Sequence, residues 1–511
     1  MLPKRYDSYD EAYENFSWDE TWDIVEGDKE SLNIGVECLD RHDGVCAHVL
    51  NTKEDTLSEY QFAEITEAAN QFANLLDKKG VEKGERVVVN LDMSFEFLVS
   101  FFGTIKQGAV AVPCPEVFGP DAMAYRVQDS EPTIAIAPED VDSDQFDETV
   151  EVITTQELST QLEGLSQTYT SQTDAEDTAV VNYTSGTTGT PTPHAYRQKS
   201  LIYYAGMKDL MLDFSSEDKA FTTSSTGWGA GLWGGLLAPL VFGIPAGFLS
   251  GPFDAKKALE FIDDNDVNLL ISVVPTALRK MVDAAEEMDQ PPQIEKANYT
   301  GEPMPAELSR KVEELFGALP RSSYGASEMT GKVVLADQAF PDFESRHGSL
   351  GKPLPGNDVL IVDDDGNELP NGEVGRIAVR ESDGLKLSED AGLTDEDGYF
   401  WSKGRADDVI LSSGYTIGPK EVEESLEKHP KVAVSGVIGV PDEELGNRVK
   451  AYIETDEAGT EELKDELKNF VREELGKHEY PREIEFIDKV PQTNNQKTQR
   501  IKLRELHESE S

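Results

Sequence analysis

The chain has 511 residues, enough for a large core and two or more domains, and its 99 acidic against 46 basic side chains give a net charge of −53. A surface of that sign repels DNA, RNA and anionic lipid, so nucleic acid and charged membranes are poor hypotheses for partners. The acidic excess is spread along the chain, and 38 % of the residues are hydrophobic and recur periodically, which argues against disorder and for a protein hydrated in concentrated salt, that of an extreme halophile.

Residues 1–55 are acidic, aromatic and weakly periodic, with Trp18 and Trp22 expected to dock this arm on the main body. Beyond Glu59 the pattern sharpens: Phe62, Ile65, Ala69, Phe72 and Leu75 or Leu76 recur at helical spacing, and Gly80 supplies the stop. A strand over 86–91, a helix over 94–107, and strands over 109–112 and 133–137 give the alternation of a parallel sheet. Residues 140–177 read as a polar surface excursion.

The apolar run Ala179-Val180-Val181 then leads as a buried strand into Tyr-Thr-Ser-Gly-Thr-Thr-Gly-Thr-Pro, residues 183–191. Gly186 and Gly189 open backbone angles closed to other residues, so that successive N–H groups converge on an anion, and the hydroxyls of Thr184, Ser185, Thr187 and Thr188 add donors. No Walker lysine is present, so this is a phosphate cradle of another kind, or on composition alone an ordinary flexible loop.

A helix over 199–212, a strand over 267–274 and a helix over 275–287 continue the alternation. Residues 227–249 carry no charge and are long enough to span a bilayer, but their glycines and the breaks at Pro239 and Pro245 favour a buried helix running into a buried strand. From Val359 short strands with Asp-Gly and Asn-Gly turns take over. After Arg405 a helix over 419–428, strands over 432–440 and 448–454, a helix over 461–475 and a strand over 484–488 make a compact α+β unit of about 100 residues. The fold class is α/β: a large N-terminal domain, 1–406, with parallel or mixed sheets and flanking helices, and a small α+β C-terminal domain, 407–511.

The three cysteines lack Cys-x-x-Cys spacing and the seven histidines form no ligand cluster, so a disulfide framework or zinc site is not expected. The acidic N-terminus shows no secretory signal, and the cytoplasm is the expected compartment.

Four further stretches join the loop at 183–191: Gly301-Glu302-Pro303, Tyr324-Gly325-Ala326-Ser327-Glu328, Asp-Gly-Tyr-Phe-Trp-Ser-Lys-Gly-Arg at 397–405, and Pro-Gln-Thr-Asn-Asn-Gln-Lys-Thr-Gln-Arg at 491–500. In this order and spacing they resemble the acyl-adenylate-forming superfamily over almost the whole chain. Residues 32–42 and Thr-Gly-Trp at 226–228 look most like acetyl- and medium-chain acyl-CoA synthetases. The resemblance implies an AMP-forming acyl-CoA synthetase using ATP, Mg²⁺ and coenzyme A on a small carboxylic acid. A carboxylate attacks the α-phosphate to give acyl-AMP and pyrophosphate, and the CoA thiol then displaces AMP.

It also implies roles. Residues 184–189 would hold the β- and γ-phosphates, Glu328 would ligate Mg²⁺, and Ser327 would donate to the α-phosphate. Tyr324 would stack on adenine opposite Gly301, Glu302 and Pro303, while Asp390 and Arg405 would hold the ribose. Lys497 would bridge acyl carboxylate and phosphate in the adenylation transition state. The small domain would act as a mobile lid hinged at Asp407, with Gly414 leaving room for the pantetheine thiol after rotation. Trp228 would gate the acyl pocket, and Gly325, where acetyl-CoA synthetases carry a tryptophan, would deepen it toward short and medium chains; its other reading is a backbone that approaches the nucleotide. Singly, each of these has a bland alternative: Lys497 a solvated lysine, Asp390 a surface acid, Trp228 core packing, Tyr324 a strand residue. The ordered set decides for Glu328, Asp390, Arg405 and Lys497, and leaves Trp228 open between gate and core packing.

Three positions depart from the pattern. Thr192 and Thr416 stand where relatives carry Lys and Arg, and Gln496 where they carry Gly. Each missing charge-assisted contact is worth roughly 1.5 to 3 kcal/mol. That keeps two alternatives in view, an enzyme handing its acyl group to a carrier protein and a paralogue that binds nucleotide without turnover.

Overall fold

The computed structural model describes residues 2–141, 145–184, 191–326, 332–363, 365–406, 408–412, 415–442, 445–475, 480–492 and 498–510. These group into two compact units: Met1–Ser323, Asp337–His347 and Leu354–Gly356 form the first, and Tyr324–Ala336, Gly348–Pro353 and Asn357–Ser511 the second.

The first unit is built on two sheets. One has six strands in the order Glu151–Thr154, Ile134–Ala137, Arg86–Val89, Val110–Pro113, Thr178–Thr184, Thr192–Arg197. It is parallel except for the last pair, which is antiparallel. Val87, Val88, Val89, Val112 and Ile136 are fully buried, the mark of parallel strands covered on both faces. Helix Phe62–Lys79 buries Phe62, Ile65, Ala69, Phe72 and Leu76 and ends at Gly80, as the spacing predicts. Helix Phe95–Gln107 begins at Ser94, whose hydroxyl accepts the Phe97 N–H.

In the other sheet residues 320–323 are followed by Lys296–Tyr299, Leu269–Val273, Ala220–Thr222, Ala246–Ser250, Val45–Asn51 and Thr56–Gln61. Helices Ala255–Asp264, Pro275–Ala285 and Ala306–Phe316 close one hydrophobic core over it, around Phe221, Leu270, Leu278, Met281, Val312 and Phe316.

The uncharged stretch forms a π-helical segment Ala230–Leu237, a helix Ala238–Val241 and a strand Ala246–Ser250, with Leu232, Trp233, Leu236 and Leu237 fully buried. Among the described residues no helix is long and apolar enough to cross a membrane. Of the two tryptophans expected to dock the N-terminal arm, Trp18 does so with its ring 4.5 Å from Tyr203, and Tyr9 adds a contact 5.4 Å from Phe343.

Two stretches carry more structure than the sequence reading gave them. The polar excursion holds the edge strand Glu151–Thr154 and helix Thr155–Leu162, whose burial rests on Ile153, Leu158 and Leu162 and whose start is a capping box of Thr154 and Glu157. With so few apolar residues, periodicity is faint there. The first 55 residues include helix Tyr9–Asn15 and strand Val45–Asn51, which pairs with Ala246–Ser250, a partner about 200 residues away that no local pattern announces.

Lys208, on helix Ser200–Leu212, is buried and donates from Nζ to Asn298 Oδ1. Burial pushes its ammonium down from the ordinary 10.5 to about 7. Between those two values the unfolded chain holds a proton that the folded chain has released, so this lysine makes stability rise with pH across that window. Wild type is therefore expected to gain on Lys208→Met as melting temperature is followed from pH 7 to 9.5. Parallel curves for the two proteins would show that Lys208 stays charged when folded.

The second unit begins with an antiparallel sheet of Asp358–Val362, Gly375–Glu381, Gly384–Thr394 and Phe400–Arg405. A further sheet runs Tyr415–Ile417, Ile410–Ser412, Gly446–Glu454, Val434–Asp442, with Glu483–Phe486 parallel to Gly446–Glu454. Helices Pro419–Glu427 and Glu461–Glu474 bury Val422, Leu426, Leu463, Leu467 and Val471 in a core with Ile410, Ile417, Val437 and Ile453.

Candidate active site

In the first unit, strands Thr178–Thr184 and Thr192–Arg197 form a hairpin whose last register pair is Thr184 with Thr192. The Thr184 side chain and the loop residues Ser185, Gly186, Thr187, Thr188 and Gly189 lie outside the described residues. The hairpin's approach is anchored from three sides. Tyr183 Oη donates to Asp129 Oδ2 at 2.7 Å, Tyr125 Oη to the Pro191 carbonyl at 3.0 Å, and Asn182 Nδ2 to the Gly227 carbonyl at 3.3 Å. The last of these joins the strand to the turn that presents Trp228.

Trp228 is about one-third exposed, and its ring lies 5.6 Å from Phe118, which carries the Arg126 guanidinium 3.8 Å above its own face. It lines a cavity of about 500 Å³ with Met93, Val117, Thr226, Phe248 and Phe253. Sequence reasoning missed three charged residues in this wall, Lys53, Asp92 and Glu116. Burial pushes both carboxyls above their ordinary range, and their mutual repulsion adds to this at Glu116, while Lys53 and the Glu116 N–H on Asp92 Oδ1 at 3.2 Å work the other way. They lie far apart in sequence, in segments without motif character.

Gly301 follows strand Lys296–Tyr299 at φ +88°, a left-handed turn that a side chain would strain. Thr300 fixes the turn, its N–H on the Val273 carbonyl at 3.1 Å and its hydroxyl on the Ser323 carbonyl at 3.1 Å. Glu302 accepts the Thr276 hydroxyl at 3.1 Å, and Pro303 follows.

In the second unit, strands Gly384–Thr394 and Phe400–Arg405 bring Asp390 and Arg405 into register as Cα partners. Arg405 Nη1 lies 3.7 Å from Asp390 Oδ1, and Tyr324 Oη donates to Asp390 Oδ2 at 2.8 Å. Three of the six residues predicted for adenosine, spread over 82 positions, are thus one cluster. Glu389, which the sequence reading passed over, joins it by pairing with Arg405 Nη2. Its only signal was adjacency to Asp390, and in a regular strand adjacent side chains point to opposite faces.

Gly325 lies at the end of strand Pro320–Gly325, where a Cβ would stand 2.1 Å from the Lys332 carbonyl oxygen and 2.8 Å from Val333 Cα. Those are backbone atoms, so any side chain at 325 requires residues 332–333 to shift. Ser327, Glu328, Asp407, Gly414, Gln496 and Lys497 lie outside the described residues. Of the other two departures, Thr192 is an exposed residue of the hairpin and Thr416 belongs to strand Tyr415–Ile417, its side chain not described.

Residues 45–386 match the AMP-binding enzyme family and residues 421–497 the AMP-binding enzyme C-terminal domain. The chain is 31 % identical to an acetyl-coenzyme A synthetase of Bacillus subtilis, over 97 % of this chain and 94 % of that protein. It is 33 % identical to the uncharacterized acyl-CoA ligase YtcI of the same organism, over 88 % and 90 % of the two. Among solved structures, the acyl-CoA synthetase of Brucella canis superposes with a TM-score of 0.74 at 26 % identity, covering 99 % of this chain and all of that one. The chain belongs to the AMP-binding enzyme family.

Proposed function

We propose that the protein is an AMP-forming acyl-CoA synthetase for short- and medium-chain or branched carboxylic acids. The substrate carboxylate oxygen attacks the α-phosphorus of ATP and pyrophosphate leaves. The CoA sulfur, having lost its proton to solvent, then attacks the acyl carbon and AMP leaves. The observation that carries this reading is the Tyr324, Asp390 and Arg405 cluster, an aromatic ring beside a carboxylate able to accept both ribose hydroxyls.

Residues 184–189 take the β- and γ-phosphates, Ser327 the α-phosphate, and Gly301 to Pro303 the adenine. Glu328 is the residue we assign to Mg²⁺, which would neutralise polyphosphate charge. Residues 407–511 are the mobile lid, turning at Asp407 to bring first Lys497 and then Gly414 to the nucleotide. The cavity beside Trp228 supports chains longer than acetate: each further buried methylene adds about 0.8 kcal/mol.

Pyrophosphate release across short, medium, branched and aromatic acids, with AMP release followed with and without CoA, tests this reading. AMP formation that depends on CoA supports it. AMP formation that needs a carrier protein instead, nucleotide binding without any AMP, or a preference for acetate over butyrate and hexanoate counts against it.

The same proposal places the enzyme in a salt-rich cytoplasm, because a charge of −53 repels itself when unscreened. Activity and melting temperature are expected to fall steeply toward about 50 mM salt, where the screening length exceeds 10 Å. Full activity there would remove the halophile reading.

A further inference from the structure

Asp408 follows directly on Asp407, the pivot proposed above, and its carboxylate is held between two arginines of helix Arg500–Glu510. Oδ2 lies 3.2 Å from Arg500 Nη1 and Oδ1 2.6 Å from Arg504 Nη2, with the Asp408 and Arg500 side chains only 11 % and 13 % exposed. Arg500 reaches further. Its Nη2 is 2.6 Å from Glu423 Oε2 and its Nε donates to the Val437 carbonyl at 3.2 Å, while Glu423 Oε1 accepts the Val437 N–H at 2.8 Å. One guanidinium thus joins the residue after the pivot, helix Pro419–Glu427 and strand Val434–Asp442.

The same helix is tied to the base of the segment that carries Lys497. Gln492 and Thr498 pair antiparallel, the Gln499 N–H donates to the Pro491 carbonyl at 2.8 Å, and Gln499 Nε2 donates to the Gln492 carbonyl at 2.7 Å. Both flanks of residues 493–497 are therefore cross-linked to each other, and Arg500 follows them at once.

We propose that Asp408 and Arg500 are positioning residues that lock the pivot to the base of the Lys497 segment, so that rotation at Asp407 is delivered to Lys497. The proposal rests on the reading of Lys497 and Asp407 given under Proposed function. The energetics favour a geometric role over one in bulk stability, since buried ion pairs rarely outperform an apolar replacement in free energy yet fix orientation tightly. Small errors of placement are expensive in rate: about 1 Å can cost 10²-fold.

A double-mutant cycle tests it. Asp408→Asn keeps shape and removes charge. Arg500→Lys retains charge beside Glu423 but loses the planar fork, and serves as a second variant should the first fold poorly. Each is measured for single-turnover acyl-AMP formation, for thioester formation from supplied acyl-AMP, for the KM of ATP and for melting temperature, alone and with Lys497→Ala. The expected result is a fall of about 10- to 100-fold in acyl-AMP formation with the KM of ATP held within about twofold, and no further fall when Lys497 is already alanine. An effect that multiplies onto Lys497→Ala, or that follows the loss of melting temperature alone, overturns the coupling and leaves the role of Lys497 standing. If Lys497→Ala by itself retains acyl-AMP formation, both readings fall.

Discussion

Lys497→Ala is expected to lower acyl-AMP formation by about 10²- to 10³-fold while leaving thioester formation from supplied acyl-AMP within about tenfold of wild type. The reason is the different charge flow in the two steps. In adenylation two anions, the acid and the α-phosphate, are forced together and negative charge moves onto pyrophosphate, so a fixed cation at the junction stabilises the transition state more than the ground state. In thioester formation the leaving group is AMP, and a lid turned at Asp407 would have carried Lys497 away. Gly414→Leu should show the opposite bias, because added side-chain volume would obstruct the thiol and not the phosphates. Equal losses in both half-reactions of Lys497→Ala would remove the alternating lid from the mechanism.

Asp390→Ala has an expected effect of similar size on a different parameter. Its carboxylate is oriented from both sides, by Tyr324 Oη at 2.8 Å and by Arg405, in a strand pair that puts Asp390 opposite Arg405. Two charge-assisted hydrogen bonds from ribose, each worth roughly 1.5 to 3 kcal/mol, amount to about 10²-fold or more in kcat/KM for ATP. Unlike Lys497→Ala, this change should weaken both half-reactions, since acyl-AMP keeps the same ribose. It should also abolish discrimination between ATP and 2′-deoxyATP. Tyr324→Phe keeps the ring and releases Asp390, so its loss should be several-fold at most. An Asp390→Ala enzyme that still discriminates against 2′-deoxyATP would take the ribose role away from this residue.

The sequence announced these elements unevenly, for physical reasons. Helix Phe62–Lys79 was legible because five apolar residues repeat on one face and a glycine ends it, and the strands Arg86–Val89 and Val110–Pro113 because they are continuous buried runs beside it. Strand Val45–Asn51 was not, since what makes it a strand is pairing with Ala246–Ser250. The cluster proposed to hold adenosine could be picked out through its ordered motifs alone: Tyr324, Asp390 and Arg405 share no period or local pattern, and a strand register joins two of them. Glu389, Asp92 and Glu116 escaped notice because an acidic residue among 99 carries no signal until its partner is known. At Gly325 the close approach of the 332–333 backbone was not legible, because no local pattern announces it.

That close approach bears on how the acid preference of such an enzyme can change over time. If position 325 borders the acyl pocket as proposed, a chain with open space there could narrow that pocket by one substitution and test the result at once. Here any side chain at 325 meets the carbonyl of Lys332, so residues 332–333 have to shift first, a change that brings no benefit of its own. Laboratory evolution toward acetate should therefore skip position 325 in its early rounds and collect changes around Trp228 and Val117, which have exposed surface to give up. Position 325 becomes available only in a background where the 332–333 backbone has already moved, so the order of mutations, and not merely their identity, decides which routes are open.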